Sequence, residues 1–127
     1  MDRKDRLKKV VALQEKLTRL HETRHALHLA AANAAEDEAK DIAGRFDAED
    51  SLAGLFPEVY HRRIARANER RIASLAGAAK EAGHAATARM RTDVVEREYR
   101  EALAAFDRKA EERQQLETVE RALKPHK

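Results

Sequence analysis

The chain has 127 residues, of which 39% are charged and 4% aromatic, and it contains no cysteine. One domain of ordinary size fits that length, but the side chains needed for a globular core are scarce, and disulfide and thiolate chemistry are excluded. The formal net charge of +3 is banded: residues 1–24 carry +4, 36–50 carry −5, 58–92 carry +5 and 93–127 carry −1.

The amino end is basic, with Arg3, Lys4, Arg6, Lys8 and Lys9, and its one apolar run, Val10 to Leu13, is short. A secretory core needs roughly 7 to 15 apolar residues and a membrane span about 20. The chain is therefore expected in the cytoplasm, without membrane insertion.

From about residue 3 to 45 the spacing predicts a first helix. Val10, Leu13, Leu17, Leu20, Leu27, Ala31 and Ala34 trace an apolar stripe with Arg24 at its one polar position. The stripe then moves to Ala35, Ala39, Ile42 and Phe46, as at a coiled-coil stutter. Glu15–Arg19 and Glu36–Lys40 stand four apart in the favourable order, each worth a few tenths of a kcal/mol.

A connector is expected over 46–56, where Asp47, Asp50, Ser51 and Gly54 favour turns, between Gly44 and Pro57. Leu52, Leu55 and Phe56 lie within it and are expected to fold back and close the end of the coiled coil. Pro57 suits the first turn of a second helix over about 57–123, and Pro125 stops it. Ile64, Asn68, Ile72, Leu75, Ala79, Ala82, Ala86, Met90 and Val94 form its stripe, continued by Tyr99, Leu103, Phe106, Ala110, Leu116 and Leu123.

The fold class is thus all-α: an antiparallel two-helix coiled-coil hairpin in a single domain spanning 1–127, with the longer helix second. A bend near Gly77 and Gly83 giving three helices is the alternative, because each glycine costs about 1 kcal/mol in a helix. Placing Ile42 near His61 and Val10 near Asp93 leaves residues beyond about 96 without a partner in the pair. Their apolar stripe then needs cover from another protein, a second copy or the chain itself.

His21-Glu22-Thr23-Arg24-His25 matches the H-E-x-x-H pattern, in which two imidazoles one turn apart hold zinc and the glutamate activates a water. His28 adds a further imidazole, but the extended pattern of a later Gly and His is missing. These histidines are read as solvated helix residues, with His21 and His25 the sole metal candidates and no cofactor assigned. Gly44, Gly54, Gly77 and Gly83 are too scattered to cradle a phosphate, and Ser51 and Ser74 have no base nearby in sequence. No catalytic residue is assigned. Arg62, Arg63, Arg66, Arg70 and Arg71 form a basic cluster, yet one neighbouring aromatic, Tyr60, gives little stacking, and a charged coiled-coil face is preferred to a nucleic-acid site.

With Arg6-Leu7-Lys8-Lys9-Val10-Val11-Ala12-Leu13 opening the first helix, a mid-chain turn, and Ala110-Glu-Glu-Arg-Gln-Gln-Leu-Glu-Thr-Val-Glu-Arg-Ala-Leu123 closing a longer second one, the chain resembles the flagellar export stalk proteins (FliJ-like). The group includes the YscO-like proteins of injectisomes. The resemblance is one of size and pattern over nearly the whole chain, and it transfers no individual residue. It implies a non-enzymatic, cytoplasmic component of a bacterial type III export apparatus, flagellar or injectisome. Such a component inserts its helix termini into the export ATPase ring and contacts export-gate and chaperone proteins. The partner-binding candidates are then Arg3, Lys4 and Lys8 at the amino end and Tyr99, Leu103, Phe106, Leu116 and Leu123 on the second helix, with Phe46, Phe56 and Tyr60 beside the turn. A self-associating structural coiled coil is the competing reading.

Overall fold

The computed structural model describes residues 2–125. Among these the chain forms two α-helices and no strand: α1, Arg3–Phe46, and α2, Pro57–Leu123, packed against each other as a helical hairpin. Both helices begin where local chemistry dictates. The Asp2 carboxylate accepts a hydrogen bond from the Asp5 amide at 3.1 Å, a side-chain cap that holds the Asp2 carboxyl below its usual pKa. Pro57 opens α2 without sacrificing a donor, and Glu58 in the first turn complements the helix dipole.

Between the helices the backbone turns through Ala48 N–H to Arg45 C=O (3.2 Å), Ser51 N–H to Ala48 C=O (3.0 Å) and Phe56 N–H to Leu52 C=O (2.9 Å). The Ser51 hydroxyl accepts from the Ala53 amide at 3.0 Å, and Ala53 is buried. The expected closure of the hairpin end by Leu52, Leu55 and Phe56 is not what occurs, since all three are exposed. The connector packs through the small Ala53, and its tight turns leave the larger side chains pointing outward. Beside it, Phe46 meets Tyr60 edge to face with ring centroids 5.9 Å apart, and His61 lies 5.4 Å from Phe46 on the same measure.

Packing divides the chain into two units, one of residues 17–87 and one of residues 2–16 with 88–125. Within 17–87 the covered row of α1 runs through Thr18, His21, His25, His28, Ala32, Ala35, Ala39, Ile42 and Phe46, with Leu17 and Glu38 half-covered beside it. That of α2 runs through Tyr60, Ile64, Ala67, Arg71, Ser74, Ala78, Glu81 and Ala85, with Gly77 half-covered beside it. Spacings of three and four alternate without a break in both rows, so the expected stutter is absent.

The expected stripe through Leu20 and Leu27 is displaced by one residue from this seam, and both leucines are exposed, at 42% and 64%. Ile72 and Leu75 of α2 are exposed in the same way. Alanine explains the outcome. Ala32, Ala35, Ala67, Ala78 and Ala85 are buried, and side chains this small let two helix backbones approach closely. A leucine seam would hold them further apart.

α2 is helical through both Gly77 and Gly83, so the three-helix alternative does not occur. Gly77 lies against His28: a Cβ built there would be 2.7–3.0 Å from three atoms of the imidazole, which would have to move aside. Around Gly83 there is open space. Gly83→Ala should therefore stabilise the protein by about 0.8–1 kcal/mol. Gly77→Ala should give no such gain until His28→Ala removes the obstruction. Urea unfolding of the two single variants and the double variant measures this, and equal gains at Gly77 and Gly83 would contradict the packing.

Within the other unit, Leu7, Val11 and Gln14 of α1 are half-covered, while α2 presents Ala88, Thr92, Val95, Tyr99 and Ala102. Ala88 and Thr92 are buried, and the Thr92 hydroxyl donates back to the Ala88 carbonyl at 2.9 Å. Cover on α2 does not stop near residue 96 as expected. Tyr99, Ala102, Leu103 and Ala105 are half-buried, because the capped first turn keeps α1 helical to its start and Lys4 reaches across to Phe106.

Candidate functional site

The amino-terminal candidates differ in environment. Arg3 and Lys4 border a shallow depression with Asp2, Ala102, Ala105, Phe106 and Lys109. The Lys4 ammonium sits 4.6 Å from the centroid of the Phe106 ring, a cation–π contact, and donates to the Asp5 carboxylate at 3.1 Å. That carboxylate holds the Lys4 pKa above its ordinary value. Lys8 instead lines a separate groove with Asp5, Lys9 and Ala12.

Of the apolar candidates on α2, Tyr99 and Leu103 are partly covered by the pairing, and Phe106 is contacted by Lys4. Leu116 and Leu123 are bare, at 63% and 77% exposure. Every residue from Ala110 to Leu123 is exposed. Val119, absent from the sequence-derived candidates, joins Leu116 and Leu123 on one stripe at spacings of three and four.

The histidines are not solvated helix residues. His21, His25 and His28 all lie on the seam, half-buried against α2. His21 Nδ1–H donates to a Glu81 carboxylate oxygen at 2.6 Å, and the His21 ring stands 5.1 Å from that of His84. One turn on, His25 Nδ1–H donates to the Ala78 carbonyl at 2.8 Å. The i, i+4, i+7 spacing that suggested a metal motif instead builds a polar ladder between helices, and Glu22 is exposed. No group of three His, Asp or Glu among the described residues is placed to hold a metal ion.

The hydrogen bond from His21 holds the Glu81 carboxyl below its ordinary pKa of 4.5, opposed by burial and aided by Arg24 and His84. A depressed carboxylate stabilises the fold above its unfolded pKa, and that stabilisation is lost as pH falls through the folded value. Glu81→Gln should therefore lower the melting temperature at pH 6, with the gap to the parent closing below about pH 4.5. A gap unchanged across that range would contradict the assignment.

The five arginines of the basic cluster do not form one face. Arg71 is half-buried in the seam, Arg62 turns back to Glu58 at 4.0 Å, and Arg70 pairs with Glu38 across the helices. Arg63, Arg66 and Arg70 line one groove.

These features define a helical hairpin with a close-packed alanine and histidine seam and an uncovered carboxyl-terminal helix end. No described helix is long and apolar enough to cross a membrane. No protein-family model, curated protein or solved structure matches the chain.

Proposed function

We propose that this chain is a non-enzymatic coiled-coil stalk or adaptor of a bacterial type III export apparatus, working in the cytoplasm and binding the ring of the export ATPase. The observation that carries the reading is the uncovered end of α2. From Ala110 to Leu123 a regular helix continues with Leu116, Val119 and Leu123 exposed on one stripe. An isolated helix of that length is marginal in water, and an apolar stripe along it is stabilised by burial against a partner. The basic amino end, with Arg3 and Lys8 exposed, supplies charged contacts in the same unit. Export-gate or chaperone proteins are assigned to the connector, where Leu52, Leu55 and Phe56 are exposed.

The test is to mix the purified chain with the export ATPase encoded in the same genome. A complex on size exclusion, or faster ATP hydrolysis, is expected, and a chain ending at Lys109 should lose both. No complex and no change in rate would refute the proposal.

The same stripe supports a second reading, a self-associating structural coiled coil. Two copies of the 110–123 helix paired antiparallel would set Arg113 of each near Glu120 of the other, a complementary arrangement. Sedimentation of the chain alone distinguishes the two, since a stable dimer that the same truncation abolishes favours self-association.

A further inference from the structure

A separate surface lies within residues 17–87, on the side of the seam that carries the displaced leucines. Two adjoining grooves there share Glu38, Arg70 and Ala73. Ala31 and Ala34 of α1 line one of them, and Arg63 and Arg66 of α2 line the other. Helical periodicity extends the α1 row back from Ala31 through Leu27 and Arg24 to Leu20, and the α2 row on from Ala73 to Lys80. One side of the hairpin therefore carries a largely apolar row on α1 that runs, past Ala34, to the level of Arg66 and Arg63 on α2, since Glu38 pairs with Arg70 and Phe46 meets Tyr60.

We propose that this face docks an amphipathic helix with an acidic flank, contributed by a different protein, as a third helix along the hairpin. Three observations carry it. Leu20 and Leu27 are exposed beside alanines small enough for another backbone to come close. Arg63 and Arg66 have no ion-pair partner among the described residues, while the Glu38 carboxylate on this face is already taken by Arg70. From Leu27 to the level of Arg63, set by the Phe46–Tyr60 and Glu38–Arg70 contacts, the face spans about 24 Å, the length of a helix of about four to five turns.

A second copy of the chain fits poorly. Apart from the paired Glu38, Glu69 is the one carboxylate lining the groove, so two such faces would set arginine against arginine. A nucleic acid would use the arginines but gain nothing from the leucine row.

The probe is a designed 18-residue helical peptide with leucines along one face and glutamates flanking them, compared with a twin carrying lysines in place of the glutamates. Binding to the full-length chain is followed by fluorescence anisotropy, with a benzophenone crosslinker at position 34 or 72 reporting the site. The acidic peptide should bind and crosslink from position 34 and not from 72. Arg63→Glu with Arg66→Glu should weaken it at least about tenfold, a difference of about 1.4 kcal/mol. The milder Arg63→Gln with Arg66→Gln should weaken it less, and helix content by circular dichroism should hold in both. Absence of binding, equal binding of the lysine twin, or crosslinking from position 72 would overturn the proposal. So would tighter binding of single-stranded DNA through the same arginines, or a self-associated chain that Leu27→Asp dissociates.

Discussion

Ile42→Ala should cost about 2–5 kcal/mol of stability, the range for deleting a buried isoleucine side chain to its Cβ. Ile42 is 4% exposed, and every other buried hydrophobic residue among those described is an alanine. Ile42 is therefore the largest deeply buried apolar side chain among the described residues. The protein as a whole has roughly 5–15 kcal/mol to lose, so the variant should be visibly less helical at 37 °C. A urea midpoint that falls with an unchanged slope would report the loss as one of stability. A change below about 0.5 kcal/mol, the size expected at a surface site, would mean that Ile42 is not a seam residue.

The opposite error at the seam should be nearly as damaging. Ala67 is 0% exposed, and Ala67→Leu adds three carbons where two helices already touch. Overpacking of this kind typically costs about 1–3 kcal/mol, and more where the backbone must separate. Here the neighbours are helices whose close approach depends on alanine, so relief requires moving them. The contrasting substitution is Leu27→Ala, at an exposed site, which should change stability by no more than about 0.5 kcal/mol. Denaturant curves of the two variants should differ widely. If Leu27→Ala proved the costlier, the leucine row and not the alanine row would be the seam.

The all-helical hairpin was legible in the sequence because its signals are local. Gly44, Asp47, Asp50, Ser51, Gly54 and Pro57 cluster between two long stretches of good helix formers. Hydropathy places Ala35, Ala39, Ile42 and Phe46 of α1 and Ile64 of α2 on the covered face, but it does not give the buried face along the rest of the pairing. On α1 the leucines at 13, 20 and 27 outrank Gln14, Thr18, His21, His25 and His28, yet the structure covers the latter. The polar row is the better coiled-coil repeat, running 11, 14, 18, 21, 25, 28, 32, 35, 39, 42 and 46 without interruption, whereas the leucine row needed a stutter. Regularity of spacing was the usable signal, and hydrophobicity masked it. The histidines were misread for the same reason, because their partners Glu81, Ala78 and Gly77 lie far along the chain, on the other helix. Of the carboxyl-terminal candidates, Leu116 and Leu123 lie beyond the paired region, while the reach of Lys4 to Phe106 depended on a long side chain that spacing does not reveal.

The register of the seam is tested most directly by two engineered cysteine pairs in a chain that has no cysteine of its own. His28→Cys with Gly77→Cys joins positions that face each other across the seam, the Gly77 Cβ position lying against the His28 ring. Leu27→Cys with Leu75→Cys joins the rows that hydropathy favours. Leu27 precedes a covered residue and Leu75 follows one, which in an antiparallel pair turns their side chains to opposite sides. A disulfide needs Cβ atoms within about 3.5–4.5 Å. Under mild oxidation the first pair should close into an intramolecular disulfide and the second should stay reduced. Ready closure of the second pair, with the thiols of the first remaining free, would contradict the account.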